Sequence, residues 1–218
     1  MYCVPQSAAI VYSAFSISIR YSNGTIDDHI GNTFRVCFCI LLEMALLVVP
    51  KSETKDPTRL VATLQKYKIE RLVLVPTLLK SLLMYLSLKR DASLLGHLRY
   101  WICSGETLSA SLAMEFYDYF PENKHILCNF YGSTEIMGDV TCFVCEGKTQ
   151  VQQYDKVPIG NPIFNTIIYI LDNQKRPVKV GETGELFVSG LNLADGYVNG
   201  RDHDRFIENP LAVDPSEY

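Results

Sequence analysis

A tyrosine ring, a glycine, two hydroxyls and a carboxylate stand together in Asn129-Phe130-Tyr131-Gly132-Ser133-Thr134-Glu135. Those types at that spacing suit a nucleotide. A flat ring can stack on a base, and the Ser133 and Thr134 hydroxyls can donate to phosphate oxygens. Glu135 offers a hard oxygen ligand to magnesium. The apolar run His125–Cys128 just upstream reads as a buried strand. A tight turn at Gly132 would then present these groups at the strand end. The heptapeptide taken alone is equally readable as an ordinary polar turn, so its surroundings must decide.

The surroundings alternate. Ala45–Val49 reads as a buried strand, and Asp56-Pro57 as an N-cap and first-turn proline opening a helix that carries Leu60, Val61 and Leu64 on one face. Ile69–Val75 is a β-branched strand, and Pro76-Thr77 starts a helix bearing Leu78, Leu79, Leu82, Leu83 and Leu86. Arg99–Cys103 is a third strand and Ser109–Phe120 a third helix. The expected fold class is therefore α/β, a largely parallel sheet covered by helices. Ligands of such sheets gather at the carboxyl ends of strands. The loops leaving strands there are Ser104-Gly105-Glu106 and Tyr131–Glu135, where the polar chemistry lies. Past Lys156 the texture changes to antiparallel strands at Thr166–Leu171 and Gly184–Ser189 with glycine-rich turns. Three segments are expected: an N-terminal stretch 1–44 of different character, an α/β part 45–156, and a smaller β subdomain 157–218.

Composition narrows the function classes. The 218 residues are 48% hydrophobic and 20% charged, a globular balance, with a formal charge of −4. That charge, with scattered Lys and Arg, gives no electrostatic reason to expect nucleic acid or an acidic membrane as partner. Ala8–Ile19 lacks the flanks of a signal peptide, and Val36–Val49 is short for a membrane span and interrupted by Glu43. The seven cysteines are an odd number. Cys142 and Cys145 have metal-site spacing but no second pair or clustered histidines beside them. Reduced thiols in a cytoplasmic setting are expected.

Four segments occur in one order: Ile102-Cys103-Ser104-Gly105-Glu106, Asn129–Glu135, Val157-Pro158-Ile159-Gly160-Asn161-Pro162 and Gly184-Glu185-Leu186-Phe187-Val188-Ser189-Gly190. Together they resemble the adenylate-forming superfamily, specifically the adenylation domains of nonribosomal peptide synthetases, over roughly residues 45–218. Gly105–Leu112 and Asn192–Gly200 most resemble the members that activate β-alanine and couple it to amines.

The resemblance implies roles residue by residue. Tyr131 would pack on adenine within a stretch that includes Asn129, Gly132 and Ser133. Thr134 would contact nucleotide phosphate, Glu135 would help to hold Mg2+, and Gly105 and Glu106 would line the adenine pocket. ATP is thus the implied cosubstrate. Glu106 has an alternative as a helix-start carboxylate interacting with the dipole. The amino-acid pocket would be lined by Val73, Ile102, Ser104, Phe130, Gly138 and Asp139. Relatives anchor the α-amine on an earlier aspartate; the corresponding position here is Gly31, with Asp27 and Asp28 out of register. Asp139 is then either the partner of a β-amine or an exposed turn aspartate beside Gly138.

Some family parts find no match. No phosphate loop rich in Ser, Thr and Gly precedes residue 45, and no Arg-Thr-Gly-Asp segment, catalytic lysine or carrier serine for phosphopantetheine is found. No catalytic residue is assigned. The chain by itself is expected to be inactive or nearly so, because stabilising the charge at phosphorus needs those groups. Its parent would form β-alanyl-AMP, then a thioester on a carrier domain, then an amide. A non-catalytic interaction module and a fragment of an acyl-CoA ligase are the other readings.

Overall fold

The computed structural model describes residues 10–13, 46–136 and 138–212. Most of the stretch 1–44 lies outside them, as do Asp27, Asp28, Gly31 and the cysteines Cys3, Cys37 and Cys39. Strands β1 (Ile10–Ser13), β2 (Leu46–Val49), β3 (Arg71–Leu74), β4 (Tyr100–Cys103) and β5 (Ile126–Ser133) run parallel, and β6 (Gly138–Cys145) and β7 (Asn161–Pro162) complete the sheet antiparallel. The strand order is β2-β1-β3-β4-β5-β6-β7. The α/β class with a mostly parallel sheet is as expected; β1, inserted between β2 and β3, was not foreseen.

The helices are α1 (Lys51–Thr54), α2 (Pro57–Lys66), α3 (Pro76–Lys89), α4 (Ala110–Tyr119) and α5 (Lys148–Val151). Local chemistry starts them where the sequence says. The Asp56 carboxylate accepts from the Thr58 and Arg59 amides with Pro57 in the first turn, and Ser109 Oγ accepts from the Leu112 amide at α4. The connections β2→β3, β3→β4 and β4→β5 all advance the same way across the sheet. Connections of one hand then put α2, α3 and α4 on one face. The core forms there. Leu60, Val61 and Leu64 of α2 and Leu79, Leu82, Leu83 and Leu86 of α3 bury against Leu72, Leu74, Trp101, Cys103 and Leu127 of the sheet. Trp101 stacks with Phe116 at 5.3 Å and 74° and with Phe120 at 4.7 Å. Each such pair adds about 0.5–1.5 kcal/mol beyond its area.

Alternation along the strands sends Val73, Ile102 and Phe130 to the other face, where they are only half buried; Val73 pairs with Ile102, and Phe130 lies two residues past Cys128, the partner of Ile102 on β5. A second, two-stranded sheet pairs β8 (Thr166–Leu171) with β9 (Glu185–Gly190) antiparallel. Its reversal begins at Asp172, whose carboxylate accepts from the Gln174 and Arg176 amides. No described helix is long and apolar enough to cross a membrane.

Candidate functional site

The polar residues lie where β4, β5 and β6 end or begin. After β4, Ser104 Oγ donates to Asp139 Oδ1 at 2.6 Å, a bond between residues 35 apart in sequence. Asp139 is half buried within β6, opposite Gly132. An exposed turn aspartate is therefore not what stands there, because the β5–β6 ladder continues through it. Gly105 takes a left-handed φ of +86°, which lets the loop turn outward past Val75. Glu106 follows, exposed, and its carboxylate accepts from the Thr77 amide and from Thr77 Oγ1, each at 3.0 Å. It caps the first turn of α3, whose N-cap Val75 has no capping side chain. Glu106 thus serves a helix start, but of the helix before it rather than the one that follows.

The hairpin β5–β6 corrects the expected turn at Gly132. β5 runs on through Tyr131, Gly132 and Ser133, with a register shift between Tyr131 and Gly132, and the 3₁₀ turn Thr134–Ile136 makes the reversal. Glycine is needed at 132 for a packing reason. A Cβ there would fall 1.8 Å from the Gly138 carbonyl oxygen. Short polar residues in a long strand look like a turn to any local reading.

Along this strand the heptapeptide residues part company. Asn129 is buried, and its amide nitrogen donates to the Val157 and Pro158 carbonyls at 3.2 and 2.9 Å. That amide ties β5 to the segment running toward β7. Phe130 joins Val73 and Ile102 on the sheet face away from the helices. Tyr131, opposite Thr141, faces the other way with 37% of its surface exposed. Ser133 and Thr134 are exposed beyond it. The residues expected to line an amino-acid pocket share one face and the Ser104–Asp139 contact; Tyr131, expected on adenine, belongs to the opposite face.

Glu135 is held from two sides. Tyr197 donates its hydroxyl to Glu135 Oε1 at 2.6 Å, and the Ala194 amide donates to the Glu135 carbonyl at 2.8 Å. Hydrogen bonds from the Ser133 and Tyr197 hydroxyls, with the Arg205 charge nearby, hold the Glu135 carboxyl below the usual range; the same contact pushes the Tyr197 phenol up. Tyr197 and Thr77 were not singled out from sequence. Tyr197 lies inside Asn192–Gly200, a stretch that carried the family resemblance, but nothing in the sequence announces its partner.

The donor set fits a magnesium nucleotide. Mg2+ is usually bound by one or two carboxylates with substrate phosphates and water completing its shell, and Glu135 would be the residue to offer one, with the exposed Ser133 and Thr134 beside it. Elsewhere, Cys142 and Cys145 occupy β6 three positions apart, and the Cys142 thiol contacts Cys128. That contact, followed by burial, pushes Cys128 up, while it pulls Cys142 down; burial raises Cys145 to about 12.

Residues 28–198 match the family described as AMP-binding enzyme. The beta-alanyl-bioamine nonribosomal peptide synthetase ebony of Drosophila melanogaster is 57% identical over 213 residues, covering 96% of this chain and 24% of that protein. The chain thus spans about a quarter of that curated relative. Among solved structures, the nonribosomal peptide synthetase FmoA3 in its AMPPNP-bound form superposes with a TM-score of 0.74 at 20% identity, over 93% of this chain and 20% of that one. The N-terminal subdomain of Klebsiella oxytoca NpsA, in complex with 3-hydroxybenzoyl-AMSN, gives 0.71 at 18% identity, over 93% of this chain and 47% of that one. These structures share the fold.

Proposed function

This chain belongs to the AMP-binding enzyme family, and from that premise we propose that it forms the nucleotide and amino-acid binding core of a ligase that activates β-alanine. The substrate carboxylate would attack the α-phosphorus of ATP, forming a new O–P bond while pyrophosphate leaves. The product, β-alanyl-AMP, would pass to a carrier thioester and then to an amine. The 57% identity to a synthetase named for β-alanyl-bioamine supports this choice of substrate. The free thiols Cys103, Cys128, Cys142 and Cys145 support a reducing, cytosolic setting.

The chain's own residues divide the work. Tyr131 offers an exposed ring for the base, and the Thr134 hydroxyl donates toward phosphate oxygens while the Ser133 hydroxyl bonds Glu135. Glu135 is the ligand for magnesium, which when bound neutralises charge developing on the phosphates. Val73, Ile102 and Phe130 give the short aliphatic chain an apolar wall. Asp139 receives the substrate ammonium.

One observation carries the amine assignment: the half-buried Asp139 carboxylate, aligned by Ser104 at the edge of that apolar face. A carboxylate offers about four acceptor positions, so a hydroxyl and an ammonium can share it. A charge-assisted contact of this kind is worth about 2–4 kcal/mol when its partner is lost.

The test uses non-hydrolysable sulfamoyl adenosines carrying β-alanyl or propionyl groups, titrated calorimetrically into this chain and its Asp139→Asn variant. The β-alanyl compound should bind roughly 30-fold or more tightly than the propionyl one, and Asp139→Asn should erase the difference. Equal affinities in the unaltered chain would refute the amine anchor. Absence of binding by both would refute the nucleotide site.

A further inference from the structure

The clasp on Glu135 comes from a part of the chain remote from the strand-end motif. Ala194 and Tyr197 follow β9 of the second sheet, and the Tyr197–Glu135 bond joins residues 62 apart. Two bonds arrive together. One fixes the Glu135 backbone through its carbonyl, and the other fixes the carboxylate. Tyr197 is itself braced: its ring meets Phe206 edge-on at 5.8 Å and 77°, and the Arg201 guanidinium lies 5.4 Å from it. The phenol is therefore a set position, not a swinging surface hydroxyl.

We propose that Tyr197 is a positioning residue for cation binding, aiming the Glu135 carboxylate at the metal of a bound metal–nucleotide complex. The inference rests on the reading of Glu135 as the magnesium ligand. A carboxylate that ligates a metal gains from a hydrogen bond on its remaining lone pairs, because the bond fixes its rotamer before the cation arrives. Glu135 has a three-bond side chain in a 3₁₀ turn. Without the phenol, the Ser133 hydroxyl remains as a partner, and the cation would have to order the side chain on binding. Losses of 10- to 100-fold in metal affinity are usual when such outer partners are removed.

Tyr197→Phe removes the hydroxyl and leaves the ring against Phe206. Mn(II) is the probe, titrated into the 218-residue chain with a non-hydrolysable ATP analogue present, with free Mn(II) read by electron paramagnetic resonance. Expected is a 10- to 100-fold weaker Mn(II) affinity in Tyr197→Phe, with analogue affinity in EDTA unchanged. The thermal midpoint is read beside it to confirm that the variant is folded. Equal Mn(II) affinity in the two proteins overturns the positioning role alone, provided Glu135→Gln weakens it. Mn(II) binding that is absent from the unaltered chain, or indifferent to Glu135→Gln, overturns the magnesium reading and the role of Tyr197 with it.

Discussion

The helix-covered face of the main sheet and the polar strand ends beside it are held by different physics. On the covered face Leu72, Trp101, Cys103 and Leu127 have no exposed surface, and dispersion and apolar burial are spread over dozens of atoms. At the strand ends a few hydrogen bonds do the holding: Ser104 to Asp139, Thr77 to Glu106, Asn129 to Pro158, Tyr197 to Glu135. Burial is forgiving of position and costly in area. A hydrogen bond is the reverse, modest in energy and strict in geometry. The covered face should therefore set whether the chain folds, and the strand ends should set what it binds.

The strongest attempt to break this contrast compares neighbours on one strand. Trp101→Ala removes the centre of the aromatic cluster and should cost about 3–5 kcal/mol in urea denaturation. Ile102→Ala, half buried on the opposite face, should cost about half of that or less. Equal costs would mean that both faces carry the fold alike.

Glu106→Ala tests the other side. Loss of the cap on α3 should cost about 1 kcal/mol. If capping is its whole role, the affinity for an adenosine sulfamoyl ligand should change no more than stability does. A larger loss of affinity assigns Glu106 to the nucleotide as well.

The smallest effect concerns a polar group inside the covered side. His125 is 5% exposed, packs on Phe120 at 4.8 Å, and donates Nδ1–H to the Leu98 carbonyl. Burial lowers its proton affinity below the usual value, against the pull of that carbonyl and with help from the Lys124 charge. The unfolded chain binds a proton near pH 6.5 and the folded chain only at lower pH. The unfolded state then holds more protons between those values, so this contribution is intact above pH 6.5 and lost as pH falls. Denaturation at pH 7.5 and 5.5 should show His125→Gln losing less stability on acidification than the unaltered chain. The difference is at most about 1.4 kcal/mol per pH unit.

The same contrast explains what could be read from the sequence. Asp56-Pro57, the leucine faces of α2 and α3 and the β-branched runs of β3 and β8 are local, periodic signals, and they placed the starts of those helices and both ends of those strands within a residue or two. β1, four residues long, offers too short a run to show a period. Gly132 looked like a turn because the ladder that makes it a strand residue is supplied by Gly138 and Asp139 across the hairpin. The chemical types of the site were legible as a set. Their partners were not, since Glu106 with Thr77 and Glu135 with Tyr197 leave no periodicity behind.

The clasp on Glu135 also has a temporal consequence. The units β3–α3–β4 and β4–α4–β5 pair residues 29 and 26 positions apart, as in Arg71 with Tyr100 and Tyr100 with Ile126. The bond from Tyr197 closes a longer span, of 62 residues. Loop closure grows costlier with length, by about 0.6 kcal/mol for each doubling. During folding the shorter closures of the parallel sheet can thus form before the Tyr197–Glu135 bond does.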